Sequence, residues 1–183
     1  MYGFQWRHWG AQYIDHQTDY SGLGIDQLTN LIEGIKNNPL SRRHYLNTWN
    51  VSDIQQMNLP PCHLSAQFYV RDDRYLDCQM YQRSADMFLG VPFNITSYSV
   101  LTYMIAHLTG YTPGRFIHIL GDAHIYSNHV EQVKKQLSRT PFNFPTLEFV
   151  NTHNVKTIDD FNDTHIVIKN YKCHPHIKAP MAV

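Results

Sequence analysis

Two alternating strands that read as a hairpin, long stretches of helical periodicity set apart from them, and an aromatic-rich, charge-balanced composition predict an α+β fold in one domain spanning residues 1–183. At this length a chain buries a sizeable core. A hydrophobic share of 43% and an aromatic share of 13% exclude a disordered or merely solvating polypeptide. Lys+Arg and Asp+Glu stand at 15 each, so no global basic field favours DNA or an anionic membrane as partner. Anion binding has to come from local arginines.

The elements follow in order. Asp26 to Pro39 is an amphipathic helix, with Leu28, Leu31, Ile32 and Ile35 on one face, Asp26 as the cap and Pro39 beyond the end. Arg42 to Asn50 mixes β-formers with polar residues and reads as a strand. Leu64, Ala66, Phe68 and Val70 alternate with polar partners, as do Leu76, Cys78 and Met80; Arg71-Asp72-Asp73-Arg74 links them as a hairpin. The hairpin brings Cys62, ahead of the first strand, beside Arg83, at the far end of the second. Asn94 to Thr109 is the longest helix, with Ile95, Tyr98, Leu101, Met104, Ile105 and Leu108 as its stripe and Gly110 as its stop. Phe116 to Leu120 is expected to be a buried strand, followed by a helix marked by Val130, Val133 and Leu137 and by strands at 147–150 and 166–168.

No apolar run approaches the roughly 18 residues of a membrane span. Three cysteines without regular spacing make no disulfide framework, and the first residues lack signal-peptide character, so a reducing, cytoplasmic setting is expected. Cys78 lies on the inward face of its strand and reads as core filler. Cys62 differs: it follows Pro60-Pro61 in a turn, where a thiolate can be exposed and activated by a cation. His63 is a poor base for it, because adjacent side chains on extended backbone point apart. Cys173-His174-Pro175-His176 has no paired metal spacing, and no metal site is expected. Arg42-Arg43 with Arg83-Ser84 suit a phosphate clamp, since the arginine fork matches phosphate oxygens.

Together, Tyr2-Gly3-Phe4-Gln5-Trp6-Arg7, Ser41-Arg42-Arg43, Trp49-Asn50, Leu59-Pro60-Pro61-Cys62-His63, Gln79 to Asp86, Gly90-Val91-Pro92-Phe93-Asn94, Gly121 to Tyr126 and the terminal His176 to Val183 resemble the thymidylate synthase family over the whole chain. The resemblance implies a mixed β-sheet flanked by helices, packed sheet to sheet in a homodimer. It also implies reductive methylation of dUMP to dTMP, with methylenetetrahydrofolate supplying both the carbon and the reducing hydride, dihydrofolate as co-product and no nicotinamide.

Residue by residue, the resemblance makes Cys62 the nucleophile for C6 of the uracil ring. Arg83 and Ser84 become phosphate ligands, and Arg83 also stabilises the thiolate. Arg42 and Arg43 would be donated across a twofold axis to the neighbouring site. His124 and Tyr126 would hold the ribose 3′-hydroxyl, Asn94 would read the N3 and O4 edge, and Gln82 would line the nucleotide site. Tyr2 would assist removal of the C5 proton. Asp86 and Gly90 would touch nucleotide and folate, joined on the folate side by Leu59, Phe93, Ala182 and Val183, with the tail from Lys178 closing over the folate. Asn94 favours uracil; related dCMP hydroxymethylases carry Asp there and rank behind.

Family members also have an N-terminal segment with a further phosphate-binding arginine, a glutamate that organises water near O4, and folate-contacting tryptophans, none of which is matched in these 183 residues. The expectation is therefore strongly reduced turnover and poor solubility for residues 1–183 alone. A dUMP-binding remnant or subunit of a synthase stays open beside the active enzyme.

Overall fold

The computed structural model describes residues 2–181. Ten elements carry the fold: α1 (Tyr2–Arg7), α2 (Gln27–Asn37), β1 (Tyr45–Asn47), β2 (His63–Arg71), β3 (Tyr75–Asp86), α3 (Gly90–Thr109), β4 (Thr112–His124), α4 (Val130–Leu137), β5 (Thr146–Phe149) and β6 (Ile166–Lys169). A four-stranded sheet runs in the order β1-β2-β3-β4, antiparallel except for the parallel β3–β4 pair that α3 connects, and β5 and β6 form a separate antiparallel ribbon. The α+β expectation holds. Among the described residues no helix is long and apolar enough to cross a membrane.

The core forms where α2 and α3 lie on one face of the sheet. Leu28, Leu31, Ile32 and Ile35 from α2 meet Phe68 and Val70 of β2, Leu76, Cys78 and Met80 of β3, and Tyr98, Ile105 and Ala106 of α3. Each such apolar side chain stabilises by roughly 1.5–3 kcal/mol relative to exposure. Burial pushes the Cys78 thiol up to about 12, against a weaker opposing hydrogen bond with Thr102, which suits an inert core residue. Asp26 caps α2 by accepting from the Thr29 amide at 2.9 Å, as its position predicts. Arg7 ties α1 to that cap and to a late turn through Asp26 at 3.0 Å and Asp159 at 2.6 Å.

The hairpin between β2 and β3 turns through Asp72 and Asp73, both left-handed at φ 56° and 49°, with the Arg74 amide donating to the Arg71 carbonyl at 3.1 Å. Two successive left-handed residues give the turn the twist that antiparallel strands need. Near the other end of β2 the register slips: Ser65 faces Tyr81 while His63 faces Gln82, so β2 carries one extra residue there.

Three expectations are corrected. The strand expected over Arg42 to Asn50 is reduced to Tyr45–Asn47, because the chain turns away immediately afterwards through Asn50 and Asp53. The helix expected from Asn94 begins at Gly90, since proline is tolerated in a first helical turn and Asp86 Oδ1 accepts from the Phe88 and Leu89 amides just before it. The strand around Phe116 to Leu120 extends over Thr112–His124 and is not enclosed. It is the edge of the sheet, with Ile117 and Ile119 37% and 39% exposed, because the helices cover only the opposite face.

Candidate active site

Cys62 is held by two neighbouring elements, β3 and α1. Its carbonyl accepts from the Arg83 amide at 2.8 Å, and its own amide donates to the Tyr2 phenol oxygen at 2.9 Å. The Arg83 side chain turns back on the approach to the cysteine: Nε donates to the Pro61 carbonyl at 2.8 Å and Nη2 to the Pro60 carbonyl at 2.9 Å. Prolines fix the direction of those carbonyls, so the guanidinium has a rigid seat. Its remaining face lies over the Trp49 ring, 5.6 Å from the centroid.

Tyr2 completes this corner from α1. Its phenol is held above the ordinary range, chiefly by burial, with Cys62 charge adding to the effect and the Cys62 and His63 amides and Arg83 opposing it. The phenol is therefore neutral near pH 7. Because its oxygen accepts from Cys62, its own hydrogen is available to donate. The ring stacks on His63 at 3.7 Å between centroids and 5° between planes. His63 in turn shares a hydrogen bond between Nδ1 and the Tyr98 hydroxyl at 2.8 Å. Burial, with a smaller effect from His118, lowers His63 to about 4, leaving a neutral ring that faces α3 rather than serving as a base for the adjacent sulfur.

A second cluster fixes an amide. Gln82, buried, donates through Nε2 to the Ser84 carbonyl at 2.9 Å and to Asn94 Oδ1 at 3.0 Å, while its Oε1 meets His118 Nε2 at 2.9 Å. A backbone carbonyl can only accept, so the Gln82 nitrogen must face Ser84. The atom of Asn94 that meets it must then be oxygen, and His118 must carry its hydrogen on Nε2. The amide sense of Asn94 is thus set by the backbone of β3.

The third cluster lies at the carboxyl ends of the parallel strands β3 and β4. Asp86 pairs in register with His124, and the Met87 amide donates to the His124 carbonyl at 3.0 Å. His124 Nδ1 meets Asp122 Oδ1 at 3.1 Å and its ring stands edge-on to Tyr126 at 5.0 Å. Gly90 lies against Asp86: a Cβ there would stand in ordinary contact, 3.4 Å from Asp86 Cβ and 4.0 Å from Oδ2. Leu59 and Phe93 present apolar side chains to solvent at 67% and 75% exposure.

Arg83, Gln82, Ser84 and Asp86 stand on β3, His124 ends β4 with Tyr126 just beyond it, Gly90 and Asn94 stand at the start of α3, and Cys62, just ahead of β2, is joined to them by Arg83 and to Tyr2 of α1. Arg42 and Arg43 do not join them. Both are exposed before β1, and among the described residues neither guanidinium makes a hydrogen bond or ion pair. Ala182 and Val183 lie outside the described residues. Among the described residues no group of three or more His, Cys, Asp or Glu side chains is placed to hold a metal ion. A cleft of about 750 Å³ lies instead beyond α1 between Phe4, Tyr13, Asp53 and Met57, and none of the candidate residues lines it.

Sequence reasoning passed over Trp49, Tyr98 and His118 as working parts of the site. His118 had a signal, being the one polar side chain inside the apolar run Phe116 to Leu120. Tyr98 had a weaker one, as the only residue of its helical stripe with a hydroxyl tip.

The chain matches the thymidylate synthase family over residues 1–183. It is 58% identical over 181 residues to the thymidylate synthase of equine herpesvirus 2, covering 99% of this chain and 61% of that protein. It is 56% identical over 183 residues to those of Herpesvirus ateles and Homo sapiens, covering all of this chain and 62% and 58% of those proteins. The chain thus spans about three fifths of the length of these curated relatives. With a match along its whole length and identities above one half, the chain belongs to the thymidylate synthase family.

Proposed function

We propose that this chain carries the nucleophile and nucleotide-recognition machinery of a thymidylate synthase, converting dUMP to dTMP. The observation that carries the reading is the seating of Arg83 against Pro60, Pro61 and Cys62, which puts a permanent cation behind the one half-exposed thiol that follows a rigid turn. A guanidinium so placed attracts phosphate. The Cys62 sulfur adds to C6 of the uracil ring, which makes C5 nucleophilic. Asn94, its amide sense set by Gln82, offers an acceptor to N3–H and a donor to O4 and so selects uracil over cytosine. Ser84 joins Arg83 on the phosphate, and His124 and Tyr126 hold the ribose. Tyr2, a neutral phenol, orders the water that takes the C5 proton.

Methylenetetrahydrofolate, when bound, supplies the one-carbon unit and the hydride. Leu59, Phe93, Gly90 and Asp86 form its flank, and Ala182 and Val183 are assigned to it by the family resemblance alone. The open face of the sheet presents Tyr45, Tyr69, Tyr81, Ile117 and Ile119 to solvent, an apolar surface suited to a second copy. In such a homodimer Arg42 and Arg43, unengaged in the monomer, reach the neighbouring phosphate. Unpaired Cys62, Cys78 and Cys173 suit a reducing cytoplasm.

The test is incubation with 5-fluoro-dUMP and methylenetetrahydrofolate, followed by peptide mass mapping. A ternary adduct on the Cys62 peptide, absent in Cys62→Ser, with tritium release from C5-labelled dUMP, supports the synthase. Nucleotide binding without adduct or release would overturn it in favour of a dUMP-binding subunit.

A further inference from the structure

His129, at the head of α4, is fully buried, yet no step above uses it. Its ring sits between Phe88, 5.5 Å away, and Tyr126, 5.7 Å away. Its Nε2 lies 2.7 Å from the Pro180 carbonyl, and its Nδ1 is buried with no hydrogen-bond partner. The carbonyl can only accept, so Nε2 carries the hydrogen and donates it. A buried ring nitrogen without a partner costs free energy and calls for an explanation. A phenylalanine would pack between Phe88 and Tyr126 without that cost. What the imidazole adds is the bond to Pro180.

We propose that His129 is a positioning residue that fastens the carboxyl-terminal segment to the body of the protein at Pro180. Two other bonds hold the same segment farther back, from Arg139 Nη1 to the Pro175 carbonyl at 2.8 Å and from His174 Nε2 to the Thr140 carbonyl at 2.9 Å, and both are solvent-exposed. Those bonds compete with water at both ends, whereas the bond from His129 has a fully buried donor. His129 thus sets where the chain end leaves the protein, beside Phe88 and Tyr126. That this position serves the folate side rests on the function proposed above, whereas the fastening itself does not.

Limited tryptic proteolysis of the 183-residue chain, read by mass spectrometry, separates the two. In His129→Phe, which keeps the volume and removes the donor, cleavage after Lys172 and Lys178 is several-fold faster, as loss of one hydrogen bond predicts, while cleavage after Arg71, Arg74 and Arg83 is unchanged. His129→Gln, which keeps a donor, restores the wild-type rate. In the presence of dUMP, His129→Phe weakens folate binding several-fold and leaves dUMP affinity unaltered. Cleavage after Lys172 and Lys178 equal to wild type in His129→Phe, or acceleration shared by Arg71, Arg74 and Arg83, overturns the proposal. Failure of the wild-type chain to bind any folate would instead overturn the proposed function and leave the proteolysis result standing.

Discussion

The Arg83 amide donates to the Cys62 carbonyl at 2.8 Å, and the same residue sends its side chain back to the two prolines that precede the cysteine. One residue on β3 therefore holds three consecutive peptide units of the Cys62 approach. Lysine in its place, with a single nitrogen, cannot span both proline carbonyls. Arg83→Lys is expected to lower thermal stability by about 1–2 kcal/mol and to slow adduct formation on Cys62 by at least about a hundredfold. Parallel thermal melts and adduct kinetics check both, and wild-type rates in the lysine variant would refute the clamp.

Gly121 lies opposite Arg83 on β4, where a Cβ would fall 2.9 Å from the Arg83 carbonyl oxygen and 3.0 Å from the Tyr81 hydroxyl. The obstacle is backbone, which cannot swing aside. Gly121→Ala should cost about 1–3 kcal/mol by overpacking, seen as a lower denaturant midpoint, and should disturb Cys62 reactivity through Arg83.

His63 gives the fold an acid-sensitive point. Burial lowers it to about 4, so between its ordinary value of 6.5 and 4 the unfolded chain binds a proton that the folded chain does not. Stability therefore falls as pH falls through that window, by about 2 kcal/mol between pH 7 and pH 5. Urea unfolding at the two pH values should show this slope, and His63→Phe should flatten it. An unchanged slope in the variant would assign the effect elsewhere.

Gln82 joins Ser84, Asn94 and His118 in one network. Gln82→Leu leaves Asn94 free to flip its amide, so under the proposed function the donor and acceptor assigned to distinguishing uracil from cytosine lose their fixed order. Titration with both nucleotides should show dUMP affinity reduced about tenfold, the loss of one oriented hydrogen bond, with dCMP little affected.

Local pattern carried much of this structure. The caps of α2 and α3, the hairpin turn at Asp72-Asp73 and the meeting of Cys62 with Arg83 all follow from periodicity and turn chemistry within a few dozen residues. The exposure of β4 does not, because an edge strand and a central one can share the same apolar run, and only the sheet order separates them. The roles of Tyr98, His118 and His129 were hidden for a similar reason: each acts through a partner at least 35 residues away, and no spacing rule links Tyr98 to His63 or His129 to Pro180. Tyr2 was placed by its motif, yet its bond to the Cys62 amide across 60 positions is visible only in three dimensions.

The extra residue in β2 between His63 and Ser65 bears on how this chain can vary in length. Ala66, Phe68 and Val70 point into the core, and by simple alternation Cys62 would share their side; the bulge gives that side to His63, which packs on Tyr98. Deleting Leu64 would remove the bulge and keep Cys62 beside Arg83, whereas a regular ladder that kept Leu64 would aim the sulfur into the core with every candidate residue present. Inserting residues at the Asp72-Asp73 turn would not. A sequence can keep all the chemistry of this site and still lose it by miscounting once.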